Sequence, residues 1–545
     1  MEPDASAVFT DLARQAVDDL LEADPVSATW LGDHRYDNRL PQQTAADLAR
    51  HADRLDGYLS ALDAVDDLHL SVTEQVDLEI LRAAITKSVF HARQWRAPTW
   101  NPMEWNPGTA LYLLLARNFA PHDERLASAY GRLSQIPDFL AGARAELTDM
   151  PAIHVETAIS QFRGTQALIR DVLGPQLPDA QGLVEQSVRA VDEFIDWLGE
   201  RLPDARRSPR AGERAYAAML WHTLDDPIPA VKLLRQAEDF LDEVTTRLRE
   251  VAAAYLGESV STSGVVHRAL AQVAQESVVT DATVLPLVRE ALERSLAFTR
   301  AHDLVSIPNL DVQVIEMPEI HRGVAVAYCD APGPLEPAAV PTFVAVSPTP
   351  ADWSQERRVS FYREYNAVQL HDLTIHEAYP GHVLQLAHAR AQRASLIRRF
   401  GTSGVFVEGW AVYAEELLIR QGYAAAEGRQ ASLAITLQQL KMQARMTINA
   451  ILDVKVHAED LSEPEALDLM MRRGFQEEGE AVGKWRRALL TVGQLPTYFV
   501  GYLAVREIVQ DLQIMHPDWS PRQVHDLVLS FGSPAPRHLR TLIGL

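Results

Sequence analysis

Through most of this chain apolar residues return every three or four positions, a rhythm that restricts it to helices packed on helices. Between Ala7 and Leu21 they fall at Val8, Phe9, Leu12, Val17, Leu20 and Leu21, one stripe of an amphipathic helix that Asp24-Pro25 ends. The same spacing predicts helices over Thr44 to Leu62, Val72 to Trp95, Glu124 to Leu147 and Ile153 to Leu173. A further series runs from Leu183 to Arg300, with breaks at Pro203 to Gly212 and Asp226 to Pro229. No internal repeat emerges. Asn101 to Gly108, rich in breakers, interrupts the first series as a connector or as a loop lining a cleft.

The rhythm changes between Asp311 and Ser347, where the short runs Val312 to Met317, Val324 to Cys329 and Phe343 to Ser347 predict a small sheet. Turns such as Ala331-Pro332-Gly333-Pro334 separate them. Helical spacing resumes after Ser354, with Phe361, Tyr365, Val368 and Leu373 leading into His376. It continues around Val405 to Arg420, Ala431 to His457, Pro464 to Arg472, Gly483 to Leu489, Leu495 to Ile514 and Pro521 to Leu529. The expected architecture is mainly α: an elongated multi-helix fold around a cleft, with a small β-sheet before the helix that carries His376. Residues 1–304 are expected to form a cleft wall and residues 305–545 to carry the chemistry, as parts of one continuous unit.

Hydrophobic residues make up 47% of the 545 and charged residues 23%, the composition of a globular chain. A net charge of −23 repels phosphate backbones, which excludes nucleic acid as a partner and makes Arg206-Arg207-Ser208-Pro209-Arg210 a solvated loop. Met1-Glu2-Pro3-Asp4 lacks the basic and apolar regions of a leader, and no apolar run is long enough to cross a bilayer. A cytoplasmic protein without a membrane partner is expected. The single cysteine, Cys329, fits a reducing compartment and is read as a buried apolar thiol rather than a nucleophile.

Chemistry concentrates in His376-Glu377-Ala378-Tyr379-Pro380-Gly381-His382 and in Glu408-Gly409-Trp410-Ala411-Val412-Tyr413-Ala414-Glu415. Two imidazoles and one carboxylate, His376, His382 and Glu408, are the ligand set of a catalytic zinc ion that keeps a fourth position open for water. Glu377, beside a ligand but not needed as one, is the base for that water. The histidines lie six apart rather than four. Six steps of about 100° set His382 roughly 120° around a regular helix from His376, so shared ligation requires the backbone to change course. Pro380 lacks the N–H that would bond His376 and crowds that carbonyl, and Gly381 tolerates unusual dihedrals. A broken or widened turn between the histidines is therefore predicted.

The motif His-Glu-Ala-Tyr-Pro-Gly-His-x-x-Gln, ending at Gln385, together with Glu-Gly-Trp-x-x-Tyr-x-Glu, resembles the bacterial family catalogued as domain of unknown function 885. Asp24-Pro25 to Thr29 and Gly32 to Tyr36 resemble its amino-terminal signature. Gly493-Gln494, Tyr498 and Gly501 resemble its carboxy-terminal one, from which Val492, Leu495 and Thr497 depart. The resemblance covers nearly the whole chain and implies a helical, zinc-peptidase-like protein. Glu408 follows His382 by 26 residues, a gap similar to that in the helical metallopeptidases of the angiotensin-converting-enzyme, thimet-oligopeptidase and thermostable-carboxypeptidase groups.

Further roles are assigned by position. Glu415, almost two turns beyond Glu408, is a partner for a metal-bound imidazole or a surface charge, and Tyr413 shares its motif. Tyr498 is the first candidate to donate to a tetrahedral oxyanion, with Tyr502 one turn on; for either, core packing is the alternative. His457, Arg445, Arg487 and Arg506 are candidates for holding substrate. Three readings follow: a zinc peptidase of short peptides, a metal-dependent hydrolase of another small amide or metabolite, and a metal-braced helical scaffold without catalysis. An open coordination position favours either enzyme, and four protein ligands favour the scaffold.

Overall fold

The computed structural model describes residues 4–317, 326–350, 353–391 and 394–545. Its contacts divide into two compact units, each with its own core. The first gathers Met1–Pro209 with Pro332–Val340 and Ser395–Gly401. Its helices begin where the sequence supplies acceptors for orphan N–H groups. Asp24 accepts from Ser27 N–H with Pro25 at the first helical position, so Ala5–Ala23 ends and Pro25–Leu31 begins around one residue. Thr44 with Asp47, and Ser71 with Glu74, close capping boxes at the heads of Ala45–Asp63 and Val72–Phe90.

The helices Val72–Phe90 and Ala152–Ala167 run on as wider π turns, His91–Trp95 and Leu168–Leu173, to the ends that the sequence predicted. Gly108–Ala116, His122–Glu146 and Gln181–Arg201 complete a core around Leu133, Phe162 and Phe194. Trp105 joins it at 1% exposure, with its indole N–H donated to Pro98 O at 2.8 Å, so Asn101 to Gly108 is a packed connector. The later segment Pro332–Val340 is tied in by His34, whose ring nitrogens meet Asp37 and Glu336 at 2.9 Å each.

The second unit comprises Arg210–Ala331, Pro341–Ala394 and Thr402–Leu545. The division thus falls at Pro209 rather than at 304/305. The helices Glu213–Leu224, Ala230–Leu256, Val265–Glu276 and Val284–Ala301 bury Leu220, Leu241, Val273 and Val288 in the core that also holds the sheet and the later helices. Strands β1 (Val312–Glu316), β2 (Ala327–Asp330) and β3 (Thr342–Val346) pair in the order β1-β3-β2. β1 runs parallel to β3 with Val312 opposite Thr342, and β2 antiparallel with Cys329 opposite Val344. Val324 and Ala325 of the expected middle run, and Met1 to Pro3, lie outside the described residues. Cys329 is half-buried in β2, not enclosed as the sequence suggested.

The long helix Arg429–Ala458 is buried on most sides, including Gln438, Gln439 and Gln443. Arg210, read from sequence as solvated, donates to Val456 O and Leu461 O at 2.6 Å each and closes the carboxyl end of that helix. Gly404–Arg420 packs against Thr497–Met515 through paired glycines. A Cβ on Gly409 would lie 2.2 Å from the carbonyl carbon of Gly501, and one on Gly501 would lie 2.0 Å from Val405 O. Only residues without a Cβ allow that approach. Gly409→Ala should therefore lower unfolding stability by about 1–3 kcal/mol, the usual cost of overpacking. Gly483→Ala, on an exposed face with nothing within 4 Å of the added carbon, should gain roughly 0.5–1 kcal/mol. Urea midpoints measure both, and equal midpoints for Gly409→Ala and the parent chain would refute the crossing.

Candidate metal centre

The helix Ala367–Glu377 starts at Asn366, whose side chain accepts from Gln369 N–H at 3.1 Å. Just ahead, Glu364 is fixed by Lys441 Nζ at 2.9 Å, by Arg445 at 3.1 Å and by Glu477 N–H at 3.2 Å. Leu370 and Ile375 point into the core and hold the helix down. It stops at Glu377: Ala378 has φ −121° and ψ −90°, the Tyr379–Pro380 peptide is cis, and a new helix begins at His382 and runs to Ala391. Gly381 N–H bonds Ile375 O at 3.1 Å, and a Cβ there would lie 1.9 Å from His376 O. Trp410, fully buried on Gly404–Arg420, donates its indole N–H to Pro380 O at 2.8 Å and pins the turn. The predicted interruption is present, as two separate helices rather than one distorted one.

The break brings His376 and His382 together with Glu408, each offering a ligand atom within 4.8 Å of the others. Glu408 Oε2 lies 3.5 Å from His376 Nε2 and 3.5 Å from His382 Nε2. The two rings stand nearly perpendicular, at 85°, with centroids 4.7 Å apart. Two atoms each about 2.0–2.1 Å from one ion, at a tetrahedral angle, are roughly 3.3–3.4 Å apart, so the carboxylate–imidazole separations suit a shared zinc-sized cation. Both histidines are buried, and Glu408 keeps part of its surface open.

The surroundings are rich in negative charge. His376 Nδ1 meets Glu415 Oε1 at 2.6 Å, the second contact a ligating imidazole commonly makes. Glu377 Oε2 accepts the Cys329 N–H at 2.8 Å, which ties this carboxylate to strand β2. Asp372, one turn before His376, is fully buried, and neither of its carboxylate oxygens has a hydrogen-bond partner among the described residues. Burial raises the pKa of Asp372, of Glu377 and of Glu415. For Glu408, burial pushes the pKa up, but the two imidazoles facing it outweigh burial and hold it well below the carboxylate range. His376 is raised well above the usual imidazole value, because Glu408 and Glu415 overcome the burial that would lower it. Among the described residues no lysine or arginine forms an ion pair with any of the four carboxylates. The arrangement fits a cation.

The other predicted residues separate into two groups. Tyr498, in the first turn of Thr497–Met515, is half-buried with its hydroxyl 3.4 Å from Arg487 NH2; burial and then the Glu408 charge raise its pKa. Gly501, three residues on, makes the contact with Gly409 next to Glu408. Tyr502 is instead fully buried, donating to Glu416 Oε2 at 2.6 Å and accepting from Gln443 and Arg506. Tyr413 meets His525 at 2.8 Å. His457 reaches Ala488 O and Thr491 O at 2.9 Å each, and Arg445 pairs with Glu364 and Glu480. These four, with Arg506, serve packing networks of the second unit. Sequence reasoning missed Asp372, although its place four residues before His376 on the same helical face is a readable signal.

Two solved structures closely match this fold. A presumed lipoprotein of unknown function from Shewanella oneidensis superposes with a TM-score of 0.83 at 26% identity, covering 98% of this chain and 100% of its own. A presumed lipoprotein from Colwellia psychrerythraea gives 0.81 at 16% identity, covering 99% of each. Both descriptions overturn the cytoplasmic placement expected from the sequence. Among the described residues no helix is long and apolar enough to cross a membrane. The M32 carboxypeptidase from Deinococcus radiodurans R1 aligns at 13% identity over 99% of this chain and 95% of its own, with a TM-score of 0.40, too low to bear on chemistry. No curated protein matches by sequence. The family described as bacterial protein of unknown function DUF885 matches residues 25–543, and the chain belongs to it.

Proposed function

We propose that this chain is a zinc-dependent hydrolase that cleaves amide bonds of short peptides. The observation that carries the reading is the convergence of His376, His382 and Glu408, with a second carboxylate, Glu377, adjoining His376 and bound by the Cys329 N–H. Three ligands assemble among the described residues, while Glu415 meets His376 Nδ1 and one Glu377 oxygen accepts the Cys329 N–H. A set of three supports an enzyme over a scaffold. His376, His382 and Glu408 would hold zinc, which supplies Lewis acidity toward a carbonyl and lowers the pKa of water.

The chain's own groups account for the rest. Glu377 takes the proton of the attacking water and returns it to the departing amine. Its burial raises its proton affinity above that of a surface carboxylate, which suits a base that must also act as an acid. The Cys329 N–H holds one Glu377 oxygen, leaving the other for that proton. Glu415 fixes the orientation of the His376 ring. Tyr498 donates its phenol hydrogen to the oxyanion of the tetrahedral intermediate, and Arg487 at its oxygen favours that donation.

Three measurements test this. Elemental analysis of purified protein should give stoichiometric zinc that His382→Ala abolishes. Glu415→Gln should weaken its affinity by about 10- to 100-fold in chelator competition, and unchanged zinc in a folded His382→Ala would refute the ligand set. Glu377→Gln should retain zinc yet lose roughly a hundredfold or more in turnover of a mixed peptide library followed by mass spectrometry; near-normal cleavage would remove Glu377 as base. For Tyr498→Phe, kcat and kcat/KM should drop together by about a hundredfold with zinc content unchanged. A loss confined to thermal stability would make Tyr498 a core residue.

A further inference from the structure

The helix Glu478–Leu490 places Lys484 and Arg487 three residues apart, on one face. Arg487 NH2 contacts only neutral oxygens, Gln494 Oε1 at 2.8 Å and Tyr498 OH at 3.4 Å. Lys484 makes no hydrogen bond or ion pair among the described residues, although protein surrounds it and its side chain stays partly open to solvent. Nearby Arg445 is by contrast saturated, by Glu364 at 3.1 Å and Glu480 at 2.6 Å. A lysine on a helix ordinarily extends into water or pairs with an acid. Lys484 is half-buried and makes no ion pair among the described residues, in a chain of net charge −23 where acids are plentiful. Two neighbouring basic groups that form no ion pair among the described residues make a place for an anion.

Tyr498 fixes where that anion lies relative to the chemistry. Its hydroxyl accepts from Arg487, and it stands one turn before Gly501, whose backbone meets Gly409 next to Glu408. An anion at Lys484 and Arg487 would then lie beside the tyrosine assigned to the oxyanion. Burial, with Arg445 and Arg487 beside it, lowers the Lys484 pKa to about 7 despite Glu480 and Glu364, so an arriving carboxylate would stabilise its charged form.

We propose that Lys484 and Arg487 form a carboxylate subsite that takes the carboxy-terminal carboxylate of the peptide, making the chain an exopeptidase that releases the last residue. This rests on the hydrolase reading for its consequence but not for the binding itself. The subsite is tested by calorimetry on the full chain in the Glu377→Gln background, with and without chelator. The probes are acetyl-trialanine, its carboxamide, and acetyl-Ala-Ala-Asp carboxamide. Acetyl-trialanine should bind at least tenfold more tightly than either carboxamide. Lys484→Met should weaken it by about tenfold, the effect of losing a charged hydrogen bond, and Lys484→Arg should restore it. Lys455→Met, which removes a lysine paired with Glu238, should change nothing. Because Lys484 has no partner to lose, its variants should fold.

Equal binding of acid and carboxamide, or wild-type affinity in Lys484→Met, would overturn the subsite. Preference for the aspartyl carboxamide would overturn the terminal assignment in favour of an acidic side chain. Binding as expected together with no cleavage of any peptide by the zinc-loaded parent chain would leave the subsite standing and refute the hydrolase reading.

Discussion

Asp372, Glu377 and Glu415 are buried and Glu408 is half-buried around two imidazoles, and no lysine or arginine pairs with them among the described residues. An uncompensated buried charge costs several kcal/mol even after the protein relaxes, so this much carboxylate in one place requires protons or a cation. The neighbouring structure is arranged around that requirement. One helix ends at Glu377 and another begins at His382, which returns the second imidazole to the side of the first. Trp410 holds the turn between them, and the glycine pair Gly409–Gly501 sets the helix bearing Glu408 against the one bearing Tyr498. Strand β2 contributes a single N–H, from Cys329, and that bond separates Glu377 from the ligands.

Much of this was legible beforehand. Helix heads were readable at Asp24, Thr44 and Ser71, because capping depends on the residue itself and its neighbour three positions on. The interruption between His376 and His382 was readable from Pro380 and Gly381 for the same local reason. The assignment of helices to cores was not, since an apolar stripe on Ala230–Leu256 records that it is buried and not against what. Tyr498 and Tyr502 are one turn apart on one helix, yet the Tyr498 hydroxyl meets Arg487 and the Tyr502 hydroxyl bonds Glu416, a difference that periodicity does not record. Tyr413, drawn to the site by its motif, and His457, a candidate for holding substrate, belong to other hydrogen-bond networks. Lys484 could not be singled out at all, because a lysine on an amphipathic helix reads as solvated until its surroundings are known. Cellular location, read from charge and from the first residues, was overturned by the described nature of the matching structures.

The central claim, that two imidazoles and one carboxylate hold a zinc ion with room left for water, is tested most directly by X-ray absorption spectroscopy of the purified full chain. The account predicts stoichiometric zinc with two imidazole nitrogens at about 2.0–2.1 Å, oxygen neighbours that include an exchangeable one, and no sulfur. A sulfur neighbour, a closed set of four protein ligands, or folded protein that binds no zinc would contradict it.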